Sequence, residues 1–318
     1  MPRLVRPPRL VPGSTLGVAA SSSPVFDPEH LEQGVARLRE EGFGVVLAPN
    51  VGERDGYLAG SAAQRAEDLH ALWADPMVDG VLQLRGGYGS AQLLPLLDWE
   101  LLGRHPKALL GFSDTTALHV AVRRETGLVS FWAPTLTRLR AGTDRTWASF
   151  RAALAATGPR AVEADPEAAP VRTLVPGTAE GPLVGGTTTL LVAGLGTPWA
   201  LDATGAILLL EDVGEEPYEL ERDLVQLEQA GMLGAAAGIV VSEHTAIAPR
   251  RHDPAFEGHT RAFEAILADH VVAAGRPAIH GLPLGHGIHQ ATVPLGTRAR
   301  LDADHGALTV LDPGWASG

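Results

Sequence analysis

Cysteine is absent from the 318 residues. That gap removes disulfides, thiolate metal sites and a thiol nucleophile together. Positive charge is also in short supply. The 25 Lys and Arg against 37 Asp and Glu leave a formal net charge of -12, which disfavours nucleic acid or an anionic membrane as the main partner. An anionic small substrate held by a few local cations stays compatible with it. No apolar run approaches the roughly 18 residues of a membrane span. The opening stretch MPRLVRPPRLVPGS is basic but broken by prolines. It lacks an apolar core and a small-residue cleavage site, so no signal peptide and a cytoplasmic location are expected. There is no G-x-G-x-x-G after the first apolar run and no G-x-x-x-x-G-K-[ST], which argues against a Rossmann oxidoreductase and against P-loop chemistry. No internal repeat or low-complexity tract stands out.

What is present suits a globular enzyme of one large or two medium domains. Hydrophobic residues make up 45% and charged residues 19%, enough for a substantial core. Residues 15–20 read as a short buried strand. A helix from Asp27-Pro28 to about Glu41 follows, with Leu31, Val35 and Leu38 at helical spacing. A strand at 44–48, a helix at 62–73, and the strand and glycine turn GVLQLRGGYGS at 80–90 come next. After a helical turn at about 91–97, the sequence ALLGFSDTTAL runs from strand into helix at Ser113. Strands and helices in alternation imply a parallel sheet, with ligands at the strands' C-terminal ends. Both the 85–89 turn and Ser113 fall there.

The rhythm changes at 158–182, where proline, alanine and charge replace periodicity. This reads as an interdomain linker holding a short strand near 171–175. It divides a domain at 1–157 from one at 183–318. In the second half, LVGGTTTLLVAGLGTPW reads as a Gly turn into a short helix. The apolar strand 206–210 ends in Glu211-Asp212, and Pro217 opens a helix to about Ala230. Strands at 238–242, 278–284, 291–295, 298–302 and 307–311, with a helix over 256–273, make this a mixed α/β domain.

Ser113 sits where a strand stops and a helix begins. Its hydroxyl is lifted to the sheet edge and the following amides face whatever lies beside it. That is the logic of a nucleophile elbow without its G-x-S-x-G pattern, and also an ordinary N-cap. A serine nucleophile needs a base, an orienting acid and an oxyanion site. Glu211 closes a buried strand, where a carboxylate is costly unless paired. Asp212 competes for the role, with alternation pointing the two side chains opposite ways. His286 lies between glycines in GLPLGHGIHQ; His289 is its nearest rival, and His244 follows another strand. No third histidine is fixed by spacing, so neither a metal nor a cofactor is expected. The turn RGGYG offers unhindered amides to an oxyanion.

The set RGGYG, GFSDTTAL, LLLEDVGEEPYELERDL and PLGHG…VPLG resembles the LD-carboxypeptidase family of serine peptidases, which includes muramoyltetrapeptide carboxypeptidases and microcin C self-immunity peptidases. The resemblance runs from TLGVAASS to VPLG. It implies a flavodoxin-like N-terminal domain, a smaller C-terminal domain and an active site between them. It matches Ser113 to a nucleophile, Glu211 to the orienting acid, His286 to the base, and the amides of Gly86, Gly87 and Asp114 to an oxyanion hole. Arg85, Tyr88 and Thr187 are the candidate substrate contacts. A homodimer acting on murein tetrapeptides in peptidoglycan recycling is implied. The rival substrate is an aminoacyl or peptidyl sulfamoyl-adenylate. A rival of another class is a ligand-binding protein without turnover. Two departures stand out. Phe131-Trp132-Ala133-Pro134 replaces a usual His-Gly-Pro, with Trp132 either narrowing the site or at a dimer contact. Gly185-Gly186-Thr187 replaces a usual Gly-Gly-Asn, which bears on substrate choice.

Overall fold

The computed structural model describes residues 2–248 and 261–316. The chain divides into two units. The first is Met1–Gly158 with Gln290–Gly296 and Pro313–Gly318; the second is Pro159–His289 with Thr297–Asp312.

In the first unit, β1 (Thr15–Ala19), β2 (Gly44–Leu47), β3 (Gly80–Gln83), β4 (Ala108–Gly111) and β5 (Ser130–Trp132) form a parallel sheet in the order β2-β1-β3-β4-β5. This is the flavodoxin-like order, whose switch point lies between β1 and β3. The central strands are apolar at almost every position because both faces are covered. Leu16, Val18, Val81, Leu82, Leu109 and Leu110 are all buried. The helices are α1 (Pro28–Glu40), α2 (Ala62–Ala74), α3 (Trp99–Arg104), α4 (Thr116–Thr126), α5 (Leu136–Arg140) and α6 (Asp144–Ala155). Asp27 caps α1 by accepting from the Glu29 amide, and Ser61 with Gln64 forms a reciprocal capping box at α2, so both start where the sequence signals lie.

The second unit is built on a mixed sheet in the order β6-β14-β13-β8-β9-β10-β11-β7. Its strands are β6 (Arg160–Ala161), β7 (Arg172–Val175), β8 (Thr178–Thr187), β9 (Ile207–Val213), β10 (Gly238–Thr245), β11 (Ala278–Leu282), β13 (Arg298–Asp302) and β14 (Ala307–Val310). β8 to β11 run parallel and the flanking pairs antiparallel. Its helices are α7 (Thr188–Ala193), α8 (Pro217–Gln229), α9 (Met232–Ala235) and α10 (Phe263–Leu267), the last continuing as a π-turn through Ala268–Val272. Part of the helix expected over 256–273, at 256–260, lies outside the described residues. No helix among the described residues is long and apolar enough to cross a membrane.

Four expectations change. The stretch 158–182 holds the expected short strand, as β7, but it also supplies β6 and the start of β8 to the second sheet. Gly185 and Gly186 do not make a turn before α7. They lie inside β8, paired with Leu209 and Leu210 of β9. The strand expected at 291–295 does not belong with the second half. It is β12 (Val293–Leu295), which pairs antiparallel with β5 in the first sheet. Trp132 is 0% exposed, with its ring edge-on to Phe112 at 5.9 Å. It packs in the core, so it neither lines a site nor offers a contact surface.

Candidate active site

Ser113 follows β4 and adopts φ 61°. A non-glycine residue in that region is uncommon and strained, and such strain concentrates at functional sites. The geometry of a nucleophile elbow is therefore present, with Gly111 two residues before the serine but Thr115 where the second glycine usually stands. The turn after β3 lies against it. A methyl group built on Gly86 would sit 2.9 Å from both the Cβ and the Oγ of Ser113, and 3.7 Å from the Asp114 amide nitrogen. Only glycine permits that approach. Gly87, at φ 119°, is pressed in the same way against Ser23. Gly86 thus lies against Ser113 and the Asp114 amide within the first unit, and the next residue, Gly87, packs on Ser23.

Asp114 does more than its backbone role suggested. Its buried carboxyl accepts from the Ser22 hydroxyl at 2.5 Å and from the Ser90 amide at 2.8 Å. The Ser90 hydroxyl returns a 2.5 Å bond to the Asp114 carbonyl. Burial pushes this carboxyl above its usual range, and the Ser22 and Ser90 donors counteract that rise. The residue ties the loop after β1, the glycine turn and the elbow together.

Arg85 and Tyr88 flank the same glycines. Arg85 donates to the Pro24 carbonyl at 3.1 Å, and its guanidinium lies 5.2 Å over the Phe26 ring. Arg54 covers the same ring at 4.9 Å. Tyr88 meets Tyr57 edge to face at 5.8 Å. Phe26, Tyr57 and Tyr88 are all more than half exposed, on the loops that follow β1, β2 and β3. Cations stacked on aromatic rings at this edge of a parallel sheet form a surface able to hold an anionic, ring-bearing ligand.

In the second unit, Glu211 lies within β9 and is 0% exposed. His286 Nδ1 approaches its Oε1 at 2.5 Å, while the Thr187 hydroxyl donates to Oε2 at 2.9 Å. The carboxylate accepts, so Nδ1 carries the hydrogen of this bond. Close approach is enabled at Gly285, where an added methyl would meet Glu211 Cγ at 2.7 Å. Thr187 was expected to touch substrate. Its hydroxyl donates to Glu211.

Alternation in β9 separates the two acids as expected. Asp212 accepts from the Thr189 amide at 3.0 Å, the Thr189 hydroxyl at 2.9 Å and the Val213 amide at 2.9 Å. Burial raises its carboxyl. His289 is oriented toward Asp165 at 3.7 Å and Glu167 at 3.8 Å. His244 Nδ1 lies 3.1 Å from the Ser242 carbonyl, and burial lowers its affinity for a proton. Of the three histidines, His286 is the one bonded to Glu211.

Residues 16–133 match the N-terminal domain, and residues 180–301 the C-terminal domain, of the LD-carboxypeptidases. This chain belongs to the LD-carboxypeptidase family. A relative named "Probable murein peptide carboxypeptidase" from Bacillus subtilis is 38% identical over 301 residues, covering 93% of this chain and 91% of its own. The "Murein tetrapeptide carboxypeptidase" of Pseudomonas aeruginosa is 36% identical over 281 residues, covering 86% and 89%. Among solved structures, muramoyltetrapeptide carboxypeptidase from Oxalobacter formigenes superimposes with a TM-score of 0.81 at 29% identity, covering 96% of this chain and 100% of the other. Microcin C7 self-immunity protein MccF shares the fold, with a TM-score of 0.89 at 24% identity over 98% and 100%. LD-carboxypeptidase membership supports a peptidase, and hence a hydrolase.

Proposed function

We propose that this LD-carboxypeptidase is a serine peptidase that removes the terminal D-alanine of murein tetrapeptides. Ser113 Oγ attacks the scissile carbonyl as His286 Nε2 takes its proton. Glu211 holds the imidazole in the Nδ1–H tautomer and stabilises its positive charge. The Asp114 amide with that of Gly86 or Gly87 receives the oxyanion. His286 then protonates the departing amine, and water hydrolyses the acyl-enzyme by the same route in reverse. Arg85 is the cation for the free carboxylate of the leaving residue. Thr187 serves substrate binding only indirectly, through Glu211. The observation that carries the reading is the 2.5 Å bond from His286 Nδ1 to fully buried Glu211. A carboxylate is kept from water at such cost where it has an imidazole to orient. The relatives named for murein peptides support the substrate class.

The test is mass spectrometry of murein tri-, tetra- and pentapeptides incubated with the protein. Loss of one D-alanine from the tetrapeptide is expected. Ser113→Ala should lower the rate by about three or more powers of ten. Turnover that survives Ser113→Ala sinks the mechanism. Binding of the tetrapeptide without turnover by the unaltered protein would instead favour a ligand-binding protein. The exposed rings of Phe26, Tyr57 and Tyr88 favour one second reading, cleavage of an aminoacyl sulfamoyl-adenylate, since MccF has been solved with aspartyl sulfamoyl adenosine. That nucleotide, offered in the same assay, separates the two substrates. The proposal includes a cytoplasmic homodimer serving peptidoglycan recycling; light scattering tests the dimer and cell fractionation the compartment.

A further inference from the structure

Arg65 lies in the first turn of α2 and is 1% exposed. A guanidinium out of water costs several kcal/mol unless its surroundings compensate. Its hydrogen-bond partners here are all neutral. Nη1 donates to the Ser21 carbonyl at 2.6 Å and to the Gly89 carbonyl at 2.9 Å, and Nη2 donates to Gln92 Oε1 at 2.6 Å. Nε is buried with no hydrogen-bond partner. The Asp114 carboxylate supports the charge at longer range, against a burial effect that lowers proton affinity. A core built for stability alone does not need a cation in this place.

The three partners have something in common. Ser21 follows β1, and Gly89 and Gln92 bracket the end of the glycine turn. Gly89 has φ 125°, and a methyl group there would lie 2.7 Å from Arg65 Nη1, so turn and guanidinium are packed without slack. Asp114 grips Ser90, the next residue, by two bonds. The turn that carries the Gly86 and Gly87 amides is therefore clamped at its far end by a buried cation and a buried carboxyl.

We propose that Arg65 is a positioning residue for the oxyanion turn, its planar fork fixing the Gly86 and Gly87 amides against Ser113 by holding the Ser21 and Gly89 carbonyls together. The inference rests on the serine-peptidase reading for its catalytic consequence, though not for its structural one. Oxyanion donors act only when held about 3 Å from the developing charge, and a displacement of about 1 Å costs roughly 100-fold. Lysine keeps the charge but cannot reproduce the fork.

The experiment compares the full-length wild type with Arg65→Lys and the milder Gln92→Ala, whose site is exposed. Amide hydrogen exchange read by mass spectrometry reports the turn without any substrate. Peptides spanning 84–93 are expected to exchange about tenfold faster in Arg65→Lys while those from β4 and α4 are unchanged. With the murein tetrapeptide, kcat is expected to fall about 10- to 100-fold in Arg65→Lys and about 3- to 10-fold in Gln92→Ala, with KM within about threefold. A boronic acid analogue of the scissile residue should lose affinity in step with kcat. Unchanged exchange over 84–93 in both variants overturns the proposal whatever the activity. Equal losses in kcat, KM and thermal stability also overturn it, leaving a purely structural arginine. If the wild type cleaves neither the tetrapeptide nor the aminoacyl sulfamoyl-adenylate, the serine-peptidase reading fails, and the exchange data alone decide whether Arg65 holds the turn.

Discussion

His119 in α4 allows a stability prediction with a sign and a size. It is 2% exposed. Nε2 lies 2.9 Å from the Gly111 carbonyl and Nδ1 2.8 Å from the Ser130 hydroxyl. A carbonyl only accepts, so Nε2 carries the hydrogen and Nδ1 accepts from Ser130. Burial drives the imidazole's pKa from 6.5 down to about 4. The folded protein thus keeps His119 neutral where the unfolded chain protonates it. Its contribution is fully present above pH 6.5, declines as pH falls, and is exhausted below about pH 4. The gap amounts to about 3 kcal/mol at about 1.4 kcal/mol per pH unit. His119→Gln keeps a donor for Gly111 but cannot titrate. The variant should be less stable than wild type by about 1–3 kcal/mol at about pH 8. That deficit should shrink by about 2 kcal/mol at about pH 5. Urea unfolding followed by tryptophan fluorescence reads it, since buried Trp132 lies 6.2 Å from the imidazole. His244 and His280, also shifted down, cancel in the difference. A deficit that stays constant between the two pH values refutes the assignment.

Gly86→Ala places a methyl group against the Ser113 side chain, so kcat on the tetrapeptide should drop by about 100-fold or more while the thermal midpoint moves only a few degrees. Steady-state kinetics beside a thermal melt checks this, and a variant of normal kcat would remove Gly86 from the oxyanion site. Thr187→Val deletes the hydroxyl donor that shares the buried Glu211 carboxylate with His286 and should cost about tenfold or more in kcat, with Thr187→Ser restoring most of it. If Thr187→Val instead raises KM alone, Thr187 touches substrate after all.

Much of this layout was readable in the residues. Apolar strands alternating with capped helices point to a parallel sheet, but that pattern fits more than one doubly-wound order, and only the family resemblance pointed to the flavodoxin-like β2-β1-β3-β4-β5 order. Ser113 was marked by the stop between ALLGF and DTTAL, although its positive φ was not, because backbone strain leaves no trace in composition. Glu211 and Asp212 could be separated by strand alternation, but which of them meets an imidazole depends on His286, 75 residues later. Arg65 was hidden: in AAQRAEDLHALWA it looks like an exposed helix residue, and its partners come from two other loops. α6 was missed despite Thr143 at its cap and Trp147, Phe150 and Leu154 at helical spacing. The pairing of β12 with β5 was beyond reach for a different reason. A three-residue strand carries no label for the sheet it joins, and local pattern assigns it to its neighbours in sequence.

That last pairing has a consequence for synthesis. β5 gains its antiparallel neighbour only when residues 293–295 have been made, and Phe131 its stacked partner, at 4.1 Å, only with Trp315. A ribosome that has released the first 158 residues has therefore exposed an incomplete sheet, with a bare edge beside the strand that ends in the serine. Cutting the gene at the apparent halfway point would leave the same raw border permanently, ready to pair with a stranger. The two units are interlaced along the chain, and the serine's half is finished last.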